Sequence, residues 1–238
     1  MLCETELIVL NGVRYSDHAS IVTTYSEQFG SLAFKCIRTA SRRRGRANAF
    51  FRPLSVLQLN FDYHPLREIQ TPGESSILHV PLRPTMEVSA NAVAHFSVEL
   101  LTRVLRANSA DPQLFRFLKQ EIVGMEGLSA KGINSFHLRL MTGLLRHMGI
   151  LPVCDGYRPG YVLDYGNGSF RPICHADKRA AGEAASLLVQ FITTAHPEEL
   201  PLTVAQRGHL LDLLLGYLTY HFPDVGTLRS PEILSQLF

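Results

Sequence analysis

The hydrophobic period of this chain changes once, and that change limits what it can fold into. From Leu54 the stretch LSVLQLNFDY alternates, so that Leu57, Leu59 and Phe61 face one side and Gln58, Asn60 and Asp62 the other. A period of two belongs to a half-buried strand. The earlier stretches TELIVLNGVRY, ASIVTTYSE and SLAFKCIRTA are short and β-branched or alternate in the same way, and Asn11-Gly12, Phe29-Gly30 and Pro72-Gly73 punctuate the region as turns. Residues 1–82 therefore read as an antiparallel sheet closing into a small barrel.

After VPLRPT, where two prolines mark a linker, the period becomes helical. Val88, Ala92, Phe96, Leu100 and Val104 form an apolar stripe with no glycine inside it. Asp111 followed by Pro112 is a helix start, and Gly149 is a stop for the helix that contains INSFHLRLMTGLLRHMG. Further helices are predicted in DKRAAGEAASLLVQFITTA, in TVAQRGHLLDLLLGYLTYHF and in SPEILSQLF, while residues 152–173 read as irregular. The fold class is thus α+β in two domains: a small β-barrel over 1–82 and an all-α domain over 83–238.

Several function classes find no support. The N-terminus has acids where a signal peptide needs basic residues, and no apolar run approaches the roughly 20 residues that span a bilayer. The reading is a cytoplasmic protein with no membrane partner. Cys3, Cys36, Cys154 and Cys174 are widely spaced without a C-x-x-C pair, which suits reduced thiols better than a disulfide framework. No nucleophile elbow, P-loop, H-E-x-x-H or dinucleotide fingerprint is present. His95, His137, His147, His209 and His221 stand singly on predicted helices and read as surface or satisfied core histidines. No catalytic residue, cofactor or metal is predicted, and the chain reads as a protein that is not an enzyme.

One segment is different in kind. KCIRTASRRRGRANAFFRP carries Lys35, Arg38, Arg42, Arg43, Arg44, Arg46 and Arg52 and no acid, in a chain whose net charge is only +2. Such a cluster is either a solvated surface loop or the seat of an anion, and phosphate suits it through counterion release and fork-shaped guanidinium contacts. Oligonucleotide-binding (OB) barrels use their inter-strand loops for this purpose, which favours nucleic acid. Phe50 and Phe51 either fill the barrel core or offer stacking surfaces to unpaired bases. Near the C-terminus, Tyr217 and Tyr220 either close the helical core or present a groove to a partner peptide, where Arg229 could hold a carboxylate.

The opening ETELIVLNGVRYSDHASIVTTYSEQFGSLAFKCIRTA, the strand FFRPLSVLQLNF and the ending YLTYHFPDVGTLRSPEILSQLF together resemble the bacterial RecO family of recombination and repair proteins. The resemblance covers both ends in the family's order, and the middle third is generic. It implies an N-terminal OB-fold, a helical domain and a non-enzymatic protein, associated with the nucleoid, that binds single- and double-stranded DNA and anneals complementary strands. It also implies work with RecR, often with RecF, in loading RecA onto coated strands. A further implied partner is the C-terminal tail of single-stranded-DNA-binding protein. Many members carry a four-cysteine zinc module where this chain reads LPVCDGYRPGYVLDYGNGSFRPICH. Only Cys154 and Cys174 stand there, so no zinc is expected and Val162, Leu163, Tyr165 and Phe170 are expected to supply the packing. The alternative function is a protein-interaction adaptor whose helices bind peptides without DNA contact.

Overall fold

The computed structural model describes residues 1–37, 52–106, 109–175 and 179–237. They form two compact units, Met1–Met86 with Ser97–Glu126, and Glu87–Phe96 with Gly127–Phe238. Among the described residues no helix is long and apolar enough to cross a membrane.

In the first unit β1 (Leu2–Ser16), β2 (Ala19–Ser26), β3 (Gly30–Ile37), β4 (Val56–Asp62), β5 (Ile69–Gln70) and β6 (Pro72–His79) make one sheet in the order β5-β3-β2-β1-β4-β6. Only Thr71 separates β5, which pairs with β3, from β6, which pairs with β4. A single run of chain therefore bonds to both ends of the sheet and curls it into the barrel-like form expected. The β3–β5 pair is parallel, a correction to the purely antiparallel reading. Counting Ile69–His79 as one strand, the ring has five, and an odd ring cannot alternate direction all the way round.

The inward face carries Leu7, Val9, Val22, Leu32, Phe34, Cys36, Leu57, Leu59 and Phe61. Phe34 and Phe61 meet edge to face with ring centroids 5.2 Å apart, and burial pushes the Cys36 thiol up to about 12. The alternation predicted for Leu57, Leu59 and Phe61 is the one found. Ile8, Leu10 and Tyr25 on the opposite face are buried as well. Tyr25 packs against Phe115, and Lys119 Nζ reaches Glu6 at 2.5 Å; both partners lie on α3 (Pro112–Gly124). Asp111 starts this helix as predicted, its carboxylate accepting the N–H groups of Gln113 and Leu114 at 2.9 and 3.0 Å. The short α1 (Arg83–Met86) begins on Glu126, whose carboxylate accepts from the backbone of Leu82 and Arg83.

Two predicted turns are strand irregularities instead. Asn11-Gly12 lies within β1, where the register slips between Val9 and Asn11, and the chain reverses at Asp17-His18. Pro72-Gly73 lies in β6, beside a second slip, where a Cβ on Gly73 would stand 2.4 Å from the Asn60 carbonyl oxygen. Glycine permits close approach as readily as it permits a turn, so the dipeptide alone does not distinguish them.

Helix α2 is Val88–Val104. The second unit continues with α4 (Ala130–His147), the hairpin β7 (Tyr161–Asp164) and β8 (Ser169–Pro172), α5 (Arg179–Thr193), α6 (Val204–His221) and α7 (Ser230–Leu237). α4 ends at Gly149, φ +73°, with Gly149 N–H donating to the Arg146 carbonyl and Ile150 N–H to that of Leu145. This is the left-handed glycine stop expected from sequence. α6 opens on Thr203, whose hydroxyl accepts from Gln206 N–H while the Gln206 side chain accepts from Thr203 N–H.

The hairpin corrects the expectation that 152–173 is irregular and that this unit is all helical. Val162 and Leu163 are buried, and the half-buried Tyr165 sets its ring against Tyr217 at 5.6 Å and Tyr220 at 5.9 Å. Gly216 makes room for it: a Cβ there would lie 2.8 Å from the Tyr165 hydroxyl. A helix-interior glycine costs about 1 kcal/mol. Here it lets the Tyr165 ring lie directly against α6, where an added Cβ would make the ring shift.

Candidate nucleic-acid interface

The basic run occupies the connection between β3 and β4. Lys35 lies on β3 and is exposed; Arg52 lies just ahead of β4 and is exposed too. The Arg52 carbonyl accepts from Ser55 N–H at 3.1 Å, and Leu54 N–H donates to the Val9 carbonyl at 2.7 Å. Leu54 is 1% exposed and adopts φ 63°. A branched side chain in this region is strained, and the burial of Leu54 together with its pairing to β1 holds it there. Arg52 is thereby presented from a fixed backbone. Arg38, Arg42, Arg43, Arg44, Arg46, Phe50 and Phe51 lie outside the described residues.

Lys35 stands in a row that the sheet register defines. Val13 pairs with Ile21 and Ile21 with Lys35, so all three side chains share the outward face, and Ile37 follows two positions on. Between Arg14 and Ser16 the register slips by one residue, which leaves Tyr15 as the extra member of a bulge. The Lys35 ammonium lies over the Tyr15 ring, 5.4 Å from its centroid. At the hairpin tip Arg14 is paired with Asp17 at 2.5 Å.

In the helical unit the predicted partner groove needs correction. Tyr217 is 1% exposed and its hydroxyl donates to the Ile150 carbonyl at 2.9 Å, so it is a core residue. The hairpin covers it. Tyr220 is exposed, with its ring against Tyr165 and His221, and Arg229 is exposed ahead of α7. A groove of about 280 Å³ lies elsewhere in the unit, lined by His137, Val204, Arg207, Leu211, Pro231 and Leu234. Arg207 donates to the Leu202 carbonyl at 2.6 Å, and partial burial lowers its pKa. Sequence reasoning missed this groove because α4, α6 and α7 each supply one piece of it and no local pattern links them.

Cys154 and Cys174 flank the β7–β8 hairpin and stand apart in their surroundings. Cys154 is half-buried with its thiol against the Pro152 carbonyl, Cys174 is exposed, and among the described residues no three His, Cys, Asp or Glu side chains are grouped to hold an ion. These residues do not fit zinc. Instead, the Asp164 carboxylate closes the hairpin, accepting from the Asn167 side chain at 2.7 Å and from Gly166 N–H at 3.1 Å. Purified protein should contain no stoichiometric zinc, and a chelator should leave its melting temperature unchanged. Elemental analysis finding one zinc per chain would refute this.

The comparisons agree with this architecture. A model described as recombination protein O N terminal matches residues 1–79, and one described as recombination protein O C terminal matches residues 87–229. Among curated proteins the chain is 28% identical over 246 residues to a DNA repair protein RecO of Bacteroides fragilis, across the full length of both. It is 28% identical over 247 residues to one of Porphyromonas gingivalis and 25% identical over 241 residues to one of Phocaeicola vulgatus, again over the full length of both chains. With a curled OB-like sheet, a helical domain, and both family models matched in order, the chain belongs to the RecO family of DNA repair proteins.

Proposed function

We propose that this protein is a recombination mediator that binds single- and double-stranded DNA and anneals complementary strands. With RecR, and with RecF where that partner takes part, it helps load RecA onto strands coated with single-stranded-DNA-binding protein. The observation that carries the reading is the acid-free run of seven cations that starts at Lys35 on β3 and continues along the connection to Arg52, just ahead of β4, in an OB-like sheet. Two strands repel each other through their phosphates, and cations that neutralise both let base pairing select the partner. Annealing needs no catalytic acid or base, which fits a chain without a recognised catalytic motif. The work would be done in the cytoplasm, at the nucleoid.

The groove beside Arg207 supports the second element of the reading, capture of a partner's tail. A trough with Val204, Leu211 and Leu234 on its wall, where the partly buried Arg207 guanidinium stands among polar neighbours that include Asp212, suits the hydrophobic C-terminus of the coating protein, with Arg207 the group to meet its acids. Tyr220 and Arg229 remain candidate contacts on the same unit. The same groove is what an adaptor without DNA contact would use.

An annealing assay on complementary strands, bare and precoated, separates these readings. If about five cations engage phosphates of a single strand, log affinity should fall with log salt at a slope near −3.5. Annealing of coated strands should depend on the coating protein's tail. Absence of any single-strand binding at 50 mM salt would leave only the adaptor.

A further inference from the structure

Among the described aromatic side chains of the first unit, Tyr25, Phe34, Phe61 and Phe115 are at most 1% exposed, whereas Tyr15 is 64% exposed on the β1–β2 hairpin. Val13 and Ile37 on the same outward face are 61% and 57% exposed. An isolated exposed apolar side chain needs no explanation. Here three share one face of a sheet, with Lys35 in the same row and a bulge that inserts Tyr15.

We propose that Tyr15 is a stacking platform for an unpaired base of single-stranded DNA, with Lys35 holding the adjoining phosphate. This rests on the DNA-binding reading above and gives it a residue that acts on bases rather than on charge. The Lys35 ammonium 5.4 Å from the ring centroid shows the ring face turned toward a cation, within the range of a cation–π contact. The acid at the hairpin tip, Asp17, is engaged by Arg14, so it does not repel a strand laid along this face. The chain continues from Ile37 directly into Arg38 and the arginine run, which makes the end of this face continuous in sequence with the strongest positive charge of the protein. That charge favours nucleic acid over an acidic peptide at this face only together with the ring: a π-face accepts any base, and in a duplex those faces are already stacked.

The test uses the full chain and oligothymidine, titrated by fluorescence anisotropy between 50 and 200 mM salt. Base–aromatic stacking of one base corresponds to a loss of roughly 5- to 160-fold on removing the ring. Tyr15→Ala should weaken binding by that factor at every salt concentration without altering the salt slope, and Tyr15→Phe should bind like the wild type. Lys35→Gln should instead reduce the slope by about 0.7, the signature of one lost phosphate contact. An abasic oligomer of the same length should not distinguish Tyr15→Ala from wild type. Tyr15→Ala binding oligothymidine with wild-type affinity, or losing equally on the abasic strand, would overturn the platform and leave the DNA reading standing. Wild-type protein that binds no single strand at all would overturn the reading on which it rests. Because Tyr15 lies outside the core, an unchanged melting curve for the alanine variant is the expected folding control.

Discussion

A chain with Arg42→Ala, Arg43→Ala, Arg44→Ala and Arg46→Ala together should bind single-stranded DNA roughly 10²- to 10³-fold more weakly at 0.1 M salt. Each phosphate neutralised on a single strand contributes about 0.7 to the exponent in salt, so removing four of about five contacts takes the slope from near −3.5 to near −0.7. On the DNA-binding function proposed above the effect is large, because released counterions supply most of the affinity where no sequence is read. The fold should be indifferent to it: the barrel core is built from Leu7, Val9, Val22, Leu32, Phe34, Cys36, Leu57, Leu59 and Phe61. Annealing should fall further than binding, since two strands must be neutralised at once. The measurement is a salt titration of affinity beside a melting curve, and an unchanged slope would remove this run from the mechanism whatever its charge.

How much of this could be read from residues alone depends on how local each cause is. β4 announces itself because one face is inside the barrel and the other is not, so Leu57, Leu59 and Phe61 alternate with Gln58, Asn60 and Asp62. The neighbouring run Leu7–Leu10 does not alternate, since Ile8 and Leu10 are buried on the second face too, the face on which Tyr25 packs against Phe115 of α3. Helix ends were legible at Asp111 and Gly149, where the signal is one side chain or one backbone angle. The turns at Asn11-Gly12 and Pro72-Gly73 were misread because a bulge and a turn ask the same freedom of glycine.

The candidate site divides in the same way. The seven cations are a property of composition and stand out in the sequence. Tyr15 does not, because its exposure depends on a register slip between β1 and β2 that no single strand reveals. Whether Tyr217 closes the core or lines a groove is decided by a hairpin more than forty residues upstream that is laid over it, with strands of four residues each that are too short to show a period. The Arg207 groove is a tertiary object throughout.

His137 should make the protein labile to mild acid. Its ring is 2% exposed on α4, edge-on to Phe96 at 5.7 Å, and burial, helped by the charge of Arg207, lowers its pKa to about 3 from 6.5. An unfolded chain takes up this proton as pH falls through 6.5, whereas the native chain refuses it until about 3. The contribution of His137 to stability is therefore whole above pH 6.5 and is lost as pH falls from there toward 3, at up to about 1.4 kcal/mol per pH unit. Carboxylates titrate over the lower part of the same range, so the wild-type curve alone does not isolate the histidine. His137→Gln keeps a hydrogen-bonding side chain and removes the titration. Urea unfolding of both proteins at pH 7, 6, 5 and 4 should show the wild type losing stability more steeply, so that any advantage it holds at pH 7 narrows by about half of that slope down to pH 6 and by most of it with each unit below. A difference that stays constant with pH would mean that His137 binds its proton as readily in the native state as in the unfolded chain, and that the wall it gives the Arg207 groove can carry charge. A narrowing difference would mean that the groove stays lined by a neutral imidazole at His137, beside Arg207.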